Sequence, residues 1–205
     1  SNAASFIFGG SYKAVSGSIP LLQYALGGAT TFENIEFSSG MNTCPIYLIA
    51  RHYHLTLGEH ISCYFQRNVG GGEAHGGALT VVGGCYSSTC TKTDAHLTVK
   101  SGVYRNIITG SSGRSCGLEN GTCTLELLGN VTTRESIFAG SSGGNAGDIF
   151  VTVDGDVVAA RRFTFACSDL KDAKNSTVYL KSGSISTGSF NTLTRASQII
   201  APVGC

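Results

Sequence analysis

The stretch LTVKSGVYRNIITGSSG, residues 97–113, sets two short apolar runs around a Ser-Gly break and closes on Gly-Ser-Ser-Gly. In Leu97-Thr98-Val99 the alternation places Leu97 and Val99 on one side of a strand and Thr98 on the other. Ser101-Gly102 then turns the chain, and Val103 is expected to return inward. The same frame recurs from Ile35, Leu55, Leu79, Leu125, Val151 and Val178, with successive starts 18 to 28 residues apart. A second phrase lies between the starts: Ile107-Ile108-Thr109-Gly110-Ser111, Ile137-Phe138-Ala139-Gly140-Ser141 and Thr164-Phe165 onward. Two strand phrases in every 25 residues or so describe one supersecondary unit stacked on copies of itself.

Helical repeats do not fit, because glycine and β-branched residues interrupt every window long enough for a helix. Propeller blades need about 40 residues per repeat, which is too long. A parallel β-helix accommodates both phrases, with variable loops at its corners absorbing the uneven spacing. The expected fold is therefore all-β, a single right-handed parallel β-helix of about seven coils. Phe37, Leu57, Val81, Val99, Leu127, Val153 and Leu180 would form one inward stack. The domain would run over residues 4–205, with an N-terminal coil or cap at 4–30 and a C-terminal cap at 185–205. Ser1-Asn2-Ala3 reads as the remnant of an expression tag.

With 205 residues, the chain can bury a substantial core. Only 13% of residues are charged and the net charge is +1, which argues against a nucleic-acid partner held through phosphates. No apolar run is long enough to span a bilayer. Eight cysteines without a zinc-type CxxC pair favour disulfides and an oxidising compartment.

The strings TTFENIEF (30–37), LIARHYHLTLGEHI (48–61) and LTVKSGVYRNIITGSSG resemble the pectin-lyase-like right-handed parallel β-helix repeats. Proteins of this kind are secreted or displayed on the cell surface, many of them in gut bacteria, so the resemblance implies that location. It specifies architecture and carries no catalytic signature. Arg51-His52 stand where the repeat usually has an Asn-Gly turn.

Three of the five histidines fall in RHYHLTLGEH (51–60). His52 and His54, two apart, would share a strand face and are the metal-ligand candidates. A solvent-facing polar row is the plainer explanation, and no cofactor or metal is expected. Asp154, Asp156, Arg161 and Arg162 are the candidate catalytic groups for polysaccharide lysis or hydrolysis. Asp154-Gly155-Asp156 sits on a turn, however, where aspartate is favoured for backbone reasons. Thr56, Thr80, Thr98 and Thr152 would form one outward column, interrupted by Glu126. Cys44–Cys63 and Cys116–Cys123 are the expected disulfides, with Cys85–Cys90 third. There is no local Ser-His-Asp signature, phosphate loop or dinucleotide fingerprint. The expected function is thus non-catalytic: adhesion or glycan binding along an elongated face, with glycans or a host or cell-surface protein as partner. A lyase or hydrolase on the same scaffold and a structural spacer are the alternatives.

Overall fold

A computed structural model describes residues 4–8, 22–39, 46–65, 79–86, 94–112, 121–142, 146–165, 173–191 and 196–202. Every regular element among them is a β-strand, and every strand pairing is parallel. The chain is a β-solenoid. Numbered in chain order, the first long face comprises β3 (Thr30–Phe32), β6 (Leu55–Leu57), β9 (Ala95–Val99), β12 (Cys123–Leu127), β15 (Ile149–Asp154), β18 (Asn175–Ser182) and β21 (Ala196–Ile200). The second comprises β2 (Leu22–Ala25), β5 (Ile46–Ile49), β8 (Leu79–Val82), β11 (Asn106–Ile108), β14 (Ser136–Phe138), β17 (Arg162–Thr164) and β20 (Phe190–Asn191). The third face is split. β1 (Ala4–Phe8), β4 (Ile35–Ser39) and β7 (Ser62–Phe65) form one short sheet, while β10 (Gly102–Tyr104), β13 (Val131–Thr133), β16 (Val157–Ala159) and β19 (Ile185–Thr187) form another. No helix among the described residues is long and apolar enough to cross a membrane.

Among the described residues the 21 strands make seven on each long face and three plus four on the third, seven three-strand coils in chain order. The seven frames read from the sequence nevertheless do not mark one strand per coil on a single face. Each face presents the same apolar-x-apolar alternation, so phrases from different faces look like successive coils. Leu57, Val99, Leu127, Val153 and Leu180 do stack in one column, beginning at Phe32. Phe37 and Val81 also point into the core, but Phe37 pairs with Cys63 on the third face and Val81 lies between Leu48 and Ile107 on the second. Residues from 185, expected as a C-terminal cap, add strands β19 to β21 to existing sheets.

Val103 faces out, 40% exposed, and Tyr104 is the residue that fills the core beside it. Gly102 makes this possible. It pairs with the inward Val131, has φ +118°, and a Cβ there would come 2.8 Å from the Tyr104 hydroxyl. The ring takes the space a side chain at 102 would need, and its hydroxyl donates to the Ser101 carbonyl at 2.6 Å.

The corner after the second face is built from stacked Gly-Ser units. Gly84 N donates to Gly110 O and Gly110 N to Gly140 O, both at 2.9 Å. Beside them Cys85 N donates to Ser111 Oγ at 3.0 Å, and Ser111 N to Ser141 Oγ at 3.1 Å. The hydroxyls therefore satisfy buried backbone donors that the turn removes from the ladder.

The expected disulfides need correction at two positions. Cys63 and Cys123 are reduced thiols in the core. Cys63 faces inward against Phe37, and burial pushes its thiol pKa well up. Cys123 opens β12 in register with Ala95 and Ile149, and its side chain is buried in the core. Cys85 is disulfide-bonded. Cys44, Cys90 and Cys116 lie outside the described residues.

Candidate functional site

The outer surface of the first long face carries two parallel columns. One reads Thr31, Thr56, Thr98, Glu126, Thr152, Tyr179 and Ile200. The other begins at His54, just before β6, and continues through His96, Thr124, Phe150, Thr177 and Gln198. Thr80, grouped with the first column in the sequence, belongs instead to the second face, where it is buried.

Loop length hides the central contact of this surface. Leu55 pairs with Leu97, 42 residues later, so His54 lands on His96. The two imidazoles stack with centroids 3.8 Å apart and planes 5° from parallel. His96 Nε2 lies 3.0 Å from Glu126 Oε2, and the Thr98 hydroxyl donates to the same oxygen at 2.7 Å. His54 Nε2 lies 3.0 Å from Thr98 Oγ1, completing a His54–Thr98–Glu126–His96 chain of polar contacts whose ends meet in the ring stack. One nitrogen from each histidine and one Glu126 oxygen all fall within 4.8 Å of one another.

Electrostatics set the protonation states. Burial and the adjacent His96 hold His54 below the usual imidazole range, against the pull of Glu126. Burial pushes Glu126 up, but hydrogen bonds from Thr98 and His96 and the nearby imidazole charges outweigh it, leaving the carboxyl below its usual range. At neutral pH the centre therefore holds a neutral His54 beside an ionised Glu126.

His52 sits differently from the sequence expectation of a shared strand face. Arg51 and His52 form a turn with φ +53° and +67°, and the strand starts only at Leu55. Two left-handed residues in succession are what an Asn-Gly turn supplies easily, which explains the position these residues take in the repeat. His52 Nδ1 lies 2.9 Å from the Asp94 carbonyl oxygen. It shares with His54, Asp94, Ala95, His96, Thr122 and Thr124 the lining of an open depression of about 420 Å³.

The four candidate catalytic groups are distributed over two corners. Asp154 accepts from Ser182 Oγ at 2.5 Å and Asp156 from Ser184 Oγ at 2.9 Å, each bridging adjacent coils at the start of β16. Arg161 and Arg162 follow its far end, where their backbone N–H groups donate to the Glu135 carbonyl. A three-residue strand, roughly 10 Å long, separates the acidic pair from the basic one. The arginine corner has its own carboxylate: Glu135 accepts from Arg105 Nε at 2.9 Å and from Asn106 Nδ2 at 2.8 Å. Burial pushes Glu135 up, yet these hydrogen bonds and the charges of Arg105 and Arg161 hold its carboxyl below the usual range.

No family profile, curated protein or solved structure matches the chain.

Proposed function

We infer that this protein is a binding module, displayed outside the cytoplasm, that engages an extended glycan along the outer surface of its first long face. The observation that carries the reading is the pair Phe150 and Tyr179. They are 38% and 39% exposed, stand on adjacent strands β15 and β18, and are offset by two residues in register. Such diagonal neighbours lie roughly 7–8 Å apart. Thr152 shares the other diagonal of the same square with Thr177, which is buried and accepts from Gln198 Nε2 at 3.2 Å. Aromatic rings offer an apolar surface for the C–H faces of a sugar ring, and the half-buried Thr124 and Thr152 hydroxyls beside them exchange hydrogen bonds with its hydroxyls. Seven strands give the sheet a length of about 29 Å at the usual strand spacing, room for several sugar units in a row.

The disulfide at Cys85 supports an oxidising location. Kinship with the pectin-lyase-like repeats is proposed on the same footing, from the TTFENIEF-type strings together with the parallel solenoid. A glycan array tests the reading, followed by titration of the best binder. Phe150→Ala with Tyr179→Ala is expected to weaken binding at least tenfold while the far-UV spectrum is unchanged. Affinity unmoved by the double substitution would reject this face as the site.

A further inference from the structure

We propose that His54, His96 and Glu126 form a site for a divalent transition-metal ion of the zinc, copper or nickel type. Three observations bear on it, all independent of the glycan reading. First, residues from three successive coils of one face converge, His54 just before β6 and the other two in β9 and β12: the candidate donor atoms lie within 4.8 Å of one another, although His54 and Glu126 are 72 positions apart in the chain. Second, the donor set is two imidazole nitrogens and one carboxylate oxygen. Such a set selects zinc, copper or nickel over calcium or magnesium, which prefer oxygen ligands throughout. Third, His54 and His96 both line the open depression, which gives an ion a path in and leaves positions for water or an exogenous ligand.

The geometry also states what must move. Tetrahedral zinc holds nitrogen and oxygen ligands at roughly 2.0–2.1 Å, so donor atoms come about 3.3 Å apart. His96 Nε2 and Glu126 Oε2, at 3.0 Å, already meet that spacing. His54 must approach, with both imidazoles tilting out of their parallel stack so that their lone pairs converge. Thr98 remains beside the carboxylate as the hydrogen-bonding group that orients it.

The test is a calorimetric titration of the tag-free chain with Zn2+, repeated on His54→Ala, His96→Ala, Glu126→Gln and, as control, His60→Asn. His60 lies on an exposed corner with φ +55°, which asparagine adopts readily. The expected result is one ion per chain, at least tenfold weaker binding in each of the three site variants, and unchanged binding in the control. Imidazole 15N NMR of the unmodified protein supplies a readout that no folding defect can imitate: Zn2+ should shift ring nitrogens of His54 and His96 and leave His60 in place. An absence of binding, unshifted His54 and His96 nitrogens, or loss confined to only one of the three variants would overturn the site.

Discussion

Single side chains in this solenoid report on whether the core is satisfied. Val99 is fully buried between Leu57 and Leu127. Val99→Asp is expected to cost several kcal/mol, because it buries a charge with no partner; a melting temperature within a few degrees of the parent would contradict this. Thr133 is the opposite case. It is fully buried in register with Tyr104, and its hydroxyl has no hydrogen-bond partner. Thr133→Val keeps the branched shape and removes the desolvated hydroxyl, so a gain of about 1 kcal/mol is expected in urea unfolding. Acid should act through His54, Glu126 and Glu135, all held below their usual ranges. For each, the unfolded chain binds the proton more readily than the folded one, so stability is full above the unfolded value and falls as protons are taken up. The loss should begin below about pH 6.5 through His54 and steepen below about pH 4.3 through the glutamates. Melting temperatures between pH 8 and pH 3 check the order, and Glu135→Gln should flatten the lower branch.

Corners, more than strands, decide how tightly adjacent coils approach. Gly83 leads into one such corner: its N–H donates to Ile108 O at 2.8 Å, and a Cβ there would lie 2.1 Å from Thr109 O. Gly83→Ala must therefore push two coils apart, and a loss of about 2–3 kcal/mol is expected by thermal or urea unfolding. Similar corners made the fold legible, since a break after every two or three alternating residues leaves little besides a stacked coil. Face assignment was not legible. The frame starting at Leu79 matches the frame starting at Leu55, yet β8 belongs to the second face, and only the ladder distinguishes them. The site suffered the same way. Glu126 was visible as the one carboxylate in a threonine column, but His54 reaches the pair it forms with His96 only through a 42-residue step that no regular period suggests. The inward alternation within the strands of the first long face was legible, whereas the reversal at Val103 and the residues brought together by unequal loops were not.

At the scale of the molecule, two long sheets carry continuous outer surfaces, and what they carry separates binding from catalysis. Glycosidases place two carboxyl groups roughly 5–10 Å apart across the scissile bond, and lyases need a base beside an acidified carbon. Asp154 and Asp156 are held by serines of the next coil at one end of β16, with Arg161 and Arg162 beyond its other end. The first long face instead combines Phe150 and Tyr179 with a row of threonines. The protein is therefore expected to bind a glycan without producing reducing ends or unsaturated sugars from pectate, polygalacturonate or alginate, with calcium, with zinc or with neither. A glycan array and a product assay on the same sample make the comparison. Binding without product, lost in the Phe150→Ala/Tyr179→Ala variant, agrees with an adhesive role. Neither binding nor product would leave the solenoid a spacer. Product that disappears in Asp154→Ala would make it an enzyme working at the corner, and product that disappears in Glu126→Gln would move catalysis to the histidine centre.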